Sequence, residues 1–270
     1  MEGSVRDSFA LQLAQIASEA GKIVMDVRRT AFEVSYKPDR SPVTQADKAS
    51  EHAIRNALAG VMPGVPIVAE ESFDGTGPAT LPDVFILVDP LDGTREFVAG
   101  RDEFTVNIAV IENGVPVIGC IFAPAIGRIF LSGTQTLCAD LLPGAPTPPL
   151  DKLRPVATAA PPPEGLRAIV SRSHLDAESR ALLARLNVAS QRLVGSSYKF
   201  CLIAEGGADV YPRLAPTMEW DVAAGHAVLA AAGGCVLARD GTPLRYGKTA
   251  QGFRDDGFVA WGRAPRPGAV

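Results

Sequence analysis

Apolar side chains recur at Phe9, Leu13, Ile16, Ala20, Ile23 and Val27. That three-to-four spacing is one face of a helix and predicts an amphipathic helix over about residues 8–29. Pro42, then Thr44 and Asp47, has the form of a helix start, and Ala49, Ala53, Ala57 and Leu58 carry a second helix to near Gly60. The period then changes. Short apolar runs at residues 66–69, 84–88, 104–111 and 115–122 predict strands, and Glu112-Asn113-Gly114 is a hairpin turn between the last two.

The second half alternates strand-like runs (167–171, 192–195, 209–213, 235–238) with helical ones (177–186, 197–205, 221–232). Alternation of this kind implies layered α/β (α+β) structure. Between the halves, residues 143–163 are proline-dense and lack amphipathic pattern, which predicts an exposed connector. The expected organisation is therefore an N-terminal lobe over 1–142, the connector over 143–163, and a C-terminal lobe over 164–270. No internal repeat is evident.

Composition narrows the class. Hydrophobic residues are 47% and charged residues 21%, the balance of a soluble globular protein. A formal net charge of −4 gives no electrostatic reason to expect a nucleic acid or an anionic membrane as partner. An anionic substrate would need a bound cation or a local basic pocket. Cys120, Cys138, Cys201 and Cys235 are widely spaced without a CxxC pair, the pattern of reduced thiols rather than a disulfide framework or zinc site. The N-terminus lacks the apolar core of a signal peptide, and the apolar stretch 222–238 is short and broken by Gly225, His226, Gly233 and Gly234. The expectation is a cytoplasmic protein with no integral membrane segment.

Three acidic segments carry the candidate chemistry: Glu70-Glu71, Asp89-Pro90-Leu91-Asp92-Gly93-Thr94, and Trp220-Asp221. The first two fall where predicted strands end, a usual place for an α/β active site. Gathered carboxylates would repel one another and any phosphate. A divalent cation reverses that balance, since Mg²⁺ takes oxygen ligands and is often completed by phosphate oxygens. Gly93 allows close backbone approach, and amides at a following helix start can face an anion. Taken alone, residues 89–94 could equally be an acidic turn with a rigid Pro and a flexible Gly. The three segments together favour a metal-dependent phosphatase.

Other phosphatase chemistries fit poorly. Asp89 and Asp92 are separated by two residues, not the one that an aspartyl-phosphate mechanism of the haloacid dehalogenase type requires. The positions six after each cysteine are Ile126, Gly144, Gly207 and Gly241, none of them the Arg of a cysteine phosphatase. There is no P-loop, GxSxG elbow or HExxH, and His52, His174 and His226 are scattered.

These segments, in this order and with Val43-Thr44-Gln45-Ala46-Asp47 before them, resemble the inositol monophosphatase superfamily of Li⁺-sensitive, Mg²⁺-dependent phosphatases. Longer strings resemble its 3′(2′),5′-bisphosphate nucleotidases: Arg95-Glu96-Phe97 leading to residues 103–109, Ser171-Arg172-Ser173-His174, residues 195–201 and Tyr211-Pro212-Arg213. The resemblance spans nearly the whole chain and is weakest over the connector. It implies a five-layered αβαβα sandwich, with most metal ligands in the N-terminal lobe.

Position by position, it implies that Glu70, Asp89, the Leu91 carbonyl, Asp92 and Asp221 hold two or three Mg²⁺ ions, Asp89 bridging two of them. Glu70 and Thr94 would orient the attacking water, Asp47 would accept a hydrogen bond from the Thr94 hydroxyl, and the Gly93 and Thr94 amides would hold the phosphate. Ser171, His174, Gly195 and Lys199 would bind the nucleotide, with Arg213 as a further cation. The implied reaction is attack of a metal-activated water on the 3′-phosphate of adenosine 3′,5′-bisphosphate, giving AMP and phosphate.

The alternatives are an inositol- or sugar-phosphate phosphatase on the same metal site and, less in keeping with the complete ligand set, a non-catalytic metal- or nucleotide-binding regulator. Lys199 could be a solvated helix residue, His174 a helix cap, Trp220 core packing, and Glu71 an orienting partner of Glu70. The implied partner is a small nucleotide bisphosphate and not a nucleic acid. The resemblance allows a monomer or homodimer, and peripheral association at the inner membrane face.

Overall fold

The structure, a computed structural model, describes residues 1–37, 40–77 and 80–265, so the end of the expected C-terminal lobe, 266–270, lies outside the described residues. Helix α1 (Gly3–Arg28) starts earlier than the spacing predicts and buries Leu13, Ile16, Ala17, Ala20 and Val24 on one face. Helix α2 (Gln45–Val61) begins at a capping box: the Thr44 hydroxyl accepts the Ala46 N–H at 3.1 Å, and the Asp47 carboxylate accepts the Thr44 N–H at 2.7 Å. Between these helices lies an antiparallel hairpin the pattern does not predict, β1 (Val34–Tyr36) and β2 (Pro42–Thr44). Its first strand is largely exposed, so no apolar alternation announces it.

Seven strands form the larger sheet in chain order: β3 (Ile67–Ala69), β4 (Val84–Asp92), β5 (Thr105–Glu112), β6 (Val115–Ala123), β7 (Arg128–Ser132), β8 (Thr136–Asp140) and β9 (Arg154–Pro155). Only β3 and β4 run parallel. The β5–β6 turn has positive φ at both Asn113 and Gly114, 54° and 73°, which suits the right-handed twist of the flanking strands. β9 lies inside the proline-dense segment and pairs with β8, so that segment edges the sheet it leaves.

The second sheet contains β10 (Leu166–Ser171), β11 (Val188–Val194), β12 (Val210–Arg213), β14 (Cys235–Ala238) and β16 (Phe258–Trp261), in the order β11-β10-β12-β16-β14. β13 (Thr217–Met218) pairs separately with β15 (Arg254–Asp255). Strand β16, with four buried residues, lies inside this sheet between β12 and β14. β11 starts four residues before the predicted run because its Val188-Ala-Ser-Gln-Arg stretch is an exposed edge. The remaining helices are α3 (Thr94–Val98), α4 (Ala177–Arg185), α5 (Tyr198–Ala204) and α6 (Glu219–Ala231).

Packing stacks these elements in five layers. α1 and α2 cover one face of the large sheet through Leu13, Val24, Ile54 and Leu58 against Ile86, Val88, Ile108 and Phe122. α5 and α6 fill the space between the two sheets, in a core built around Phe200, Tyr211 and Phe258. α4 closes the outer face of the smaller sheet through Leu182 and Leu183. The helices between the sheets approach closely because Gly225 has no side chain: a Cβ there would stand 2.2 Å from the Phe200 ring. Among the described residues, no helix is long and apolar enough to cross a membrane.

Candidate active site

Strand ends and helix starts converge on one cleft of about 390 Å³. Glu70 follows β3 and stays on the sheet edge through its N–H bond to the Val88 carbonyl, 3.2 Å. β4 is regular as far as Asp89; the pairing with β5 then shifts register between Asp89 and Asp92, so the chain bends outward there. Gly93 takes φ +92°, a backbone conformation that side chains resist, and a Cβ there would lie 3.1 Å from the Glu103 carbonyl. Asp221 arrives from far along the chain, in the first turn of α6, where its carboxylate accepts the Thr217 hydroxyl and the Met218 N–H, the latter at 3.2 Å.

The tertiary fold thus brings carboxylate oxygens of Glu70, Asp89 and Asp221 within 4.8 Å of one another. Burial raises the pKa of Asp89 well above the usual carboxylate range, and the charges of Glu70, Asp92 and Asp221 push it further. Glu70 is raised to about 8 by burial; Lys37 opposes that shift and Asp221 adds to it. Asp221 is also raised, by burial first, against the pull of Arg213. Three crowded carboxylates with no nitrogen or sulfur donor among them are a site whose charge a hard divalent cation would neutralise. The residues fit such an ion.

Asp92 and Leu91 adjoin this triad without being part of it. The Asp92 carboxylate accepts the Ser197 N–H. The Leu91 carbonyl lies 3.1 Å from the Thr94 hydroxyl, and Leu91 donates its N–H to Asp89 at 3.0 Å. The Thr94 hydroxyl is also 3.0 Å from Asp47 Oδ1. Both neighbours are acceptors, so the hydroxyl must donate its single proton to one of them, and its oxygen lone pairs stay free to accept. Asp47 is held by two bonds from Thr44, both 2.7 Å, and burial raises its pKa while the Thr44 and Thr94 bonds lower it.

The other end of the cleft is cationic. Ser171, His174, Gly195, Lys199 and Arg213 all line it, so of the predicted site residues only Asp47 lies behind the wall. Lys199 is 3% exposed, which sets aside a solvated helix position. Its ammonium donates to the Ser196 carbonyl and lies 5.0 Å from the centre of the Tyr211 ring. Burial pulls its pKa down to about 8, with Asp92 opposing and Arg213 adding to the shift. His174 is pulled down to about 4 by burial and then by the charges of Arg213 and Arg95, so it is neutral near pH 7. Its N–H donates to the Ser171 hydroxyl at 3.1 Å. The cap of α4 is Asp176, not His174. Trp220 packs edge-on against Phe73 at 5.4 Å, in keeping with a core role.

One residue the sequence did not single out is Lys37, after β1. Its ammonium bonds Glu70 at 2.6 Å and Glu71 at 2.7 Å. Burial works against its charge, but the two carboxylates outweigh that and raise its pKa. No motif marks Lys37, because only the unpredicted hairpin brings it here. Glu71 also donates its N–H to Glu51 at 2.7 Å, so it ties Glu70's flank to α2.

The match to known proteins agrees with this geometry. Residues 6–254 match the model of the inositol monophosphatase family. This chain belongs to that family. The family's known structures share its fold: TM-score 0.73 to an inositol monophosphatase from Anabaena (22% identity, 98% of this chain and 94% of that one). CysQ from Bacteroides thetaiotaomicron, described as a bacterial member of the family, superposes with TM-score 0.79 at 34% identity, covering 96% of this chain and 98% of that one. In sequence, the chain is 40% identical over 249 residues to the 3′(2′),5′-bisphosphate nucleotidase CysQ of Escherichia coli K12, covering 92% and 97% of the two chains. The Buchnera aphidicola protein of the same name is 37% identical over 252 residues, 92% of each.

Proposed function

We infer that this member of the inositol monophosphatase family is a phosphomonoesterase that hydrolyses the 3′-phosphate of adenosine 3′,5′-bisphosphate, leaving AMP and phosphate. One observation carries the inference: a single cleft has a cation-demanding carboxylate triad at one end and the buried Lys199 and half-buried Arg213 at the other. A substrate with one phosphate to be cut and a second to be kept fits both ends. Similarity to relatives named for this nucleotidase activity supports the same substrate.

In this assignment Glu70, Asp89 and Asp221, with Asp92 and the Leu91 carbonyl beside them, would hold two or three Mg²⁺ ions. Bound there, Mg²⁺ supplies charge neutralisation at the phosphoryl group and a nucleophilic water at neutral pH. Thr94, its proton committed to Asp47 or the Leu91 carbonyl, would accept a hydrogen bond from an attacking water and so orient it, together with Glu70. The Gly93 and Thr94 amides bind the transferred phosphate's oxygens. Lys199 and Arg213 retain the second phosphate, and the neutral His174 offers a hydrogen bond without adding charge. Asp47 does not touch substrate; it holds Thr94.

The test is kcat/KM with Mg²⁺ for adenosine 3′,5′-bisphosphate beside inositol 1-phosphate and fructose 1,6-bisphosphate. The expected preference for the nucleotide is about a hundredfold, or ~2.7 kcal/mol of differential transition-state binding. A flat profile would reduce the assignment to a broad phosphatase. Tight binding without turnover would turn it into a regulator.

A further inference from the structure

Glu103 lies outside the cleft wall, yet it touches both of its ends. Its backbone carbonyl lies against Gly93, where an added Cβ would approach it to 3.1 Å. Its side chain reaches the strand ends of the smaller sheet: Oε2 accepts the Arg172 Nε–H at 3.1 Å and the Gly195 N–H at 2.9 Å, and Oε1 accepts an Arg172 Nη2–H at 3.0 Å. Arg172 and Gly195 begin the loops that leave β10 and β11, parallel neighbours paired up to Ser171 and Val194. Ser171 ends β10, and those two loops carry His174, Gly195 and the approach to Lys199.

Arg172 binds the loops to each other as well. Its N–H donates to the Val194 carbonyl at 3.2 Å, and its guanidinium donates to the Leu193 carbonyl at 3.0 Å. A second carboxylate repeats the arrangement. Glu96 in α3 accepts the Ser173 hydroxyl at 2.5 Å, and a Cβ on Gly195 would stand 2.8 Å from its Cγ and 2.7 Å from the Glu103 carbonyl.

The base of the clamp is stiff. Asp102 pairs with Arg28 at 2.8 Å, and the same guanidinium sits 5.0 Å from the Phe104 ring centre. Phe104 is fully buried and edge-on to Phe97 at 5.3 Å. Glu103 is therefore held between two anchored neighbours. A bidentate Arg–carboxylate pair fixes orientation as well as distance, which a monodentate pair does not.

We propose that Glu103, through Arg172 and the Gly195 amide, is a positioning residue that sets the spacing between the scissile-phosphate end of the cleft and its cationic end. The proposal rests on the two-phosphate substrate assigned above. A substrate that engages both ends depends on that spacing, because binding energy from the remote phosphate helps the chemical step only when both anchors are met at once. A substrate that engages only the scissile end does not depend on it.

The experiment compares adenosine 3′,5′-bisphosphate with adenosine 3′-monophosphate, which lacks the second phosphate, in the wild type, Glu103→Gln, Arg172→Lys and the swap Glu103→Arg/Arg172→Glu. The wild type is expected to prefer the bisphosphate strongly. Glu103→Gln keeps an acceptor for Gly195 but loses the charged fork. It is expected to lower kcat/KM for the bisphosphate at least tenfold, with the loss in kcat as well as KM, while changing that for the monophosphate less than twofold. Arg172→Lys should give an intermediate loss, and the swap should recover part of it.

Parallel losses on both substrates, or no loss on either, would overturn the proposal while leaving the bisphosphate assignment intact. A wild type that does not distinguish the two substrates would overturn both together. Should Glu103→Gln not fold, the Arg172→Lys ratio decides in the same way.

Discussion

The two ends of the cleft are built from opposite charges under the same constraint. At one end Glu70, Asp89 and Asp221 are pushed toward protonation by burial and mutual repulsion. At the other, burial and neighbouring cations push Lys199 and His174 toward deprotonation. Each end is a cluster of like charge that is costly to hold without its counterpart. Lys37, bridging Glu70 and Glu71, partly relieves the acidic end, and Asp92 and Tyr211 partly relieve the basic one. What remains unbalanced is complementary to a cation at one end and an anion at the other. Buried ionisable groups of this kind are a poor investment in stability, and they cluster where chemistry needs them.

The largest effect is expected from Asp89→Asn, which removes the most deeply buried charge of the acidic end. Turnover should fall by about 10³-fold or more, in the range of losing a principal transition-state stabiliser. Without Mg²⁺ the variant should melt no lower than the wild type, because a repelled carboxylate has become neutral. Added Mg²⁺ should raise the wild type's Tm, by ~2.7 kcal/mol of stability at a hundredfold excess over Kd, and the variant's much less. A variant destabilised in EDTA would show that Asp89 is structural and that the two ends are not alike.

The basic end should respond more selectively. Lys199→Met is expected to lower kcat/KM for the bisphosphate by about a hundredfold, within the ~2–5 kcal/mol cost of losing one member of a buried charge pair. Adenosine 3′-monophosphate should be affected far less. Equal losses on the two substrates would mean that Lys199 supports the wall and not the second phosphate.

The smallest effect is the pH dependence of that same contact. Lys199 has its folded pKa lowered to about 8 from the usual 10.5, so its charge is present below about pH 8 and lost above it. KM for the bisphosphate should therefore rise as pH passes 8, by about tenfold per unit once the ammonium is mostly neutral. Folding responds with the opposite sign, gaining where the contact is lost. The depressed pKa makes the charged form a cost to the native state, and the cost fades as pH rises through 8. A KM profile flat to pH 10 would show that Arg213 carries the second phosphate alone.

Legibility in the sequence followed physical locality. Helices α1 and α2 and the strands from β3 to β6 were readable because their apolar period is complete within the element. The Asn113-Gly114 turn was readable because few residue pairs accept two positive φ values. Strand β16 was not predicted, since four buried residues carry too little period to separate strand from loop. The β1–β2 hairpin was invisible for the opposite reason, being too exposed to leave a pattern. Lys37 went unmarked with it.

By itself, then, the sequence determined the local conformations and the inventory of reactive groups: carboxylates at strand ends, a glycine where the backbone turns back, and a lysine after Gly195-Ser196-Ser197. Those follow from backbone sterics and side-chain chemistry, which act within a few residues. Tertiary structure alone decided which of these groups share a cleft. Asp221 meets Asp89 only because α6 packs between two sheets, and Glu103 meets Arg172 only because the start of the larger sheet's β5 lies beside the end of the smaller sheet's β10. Burial, mutual repulsion and a two-pronged ion pair depend on distances through space, and no spacing along the chain encodes them.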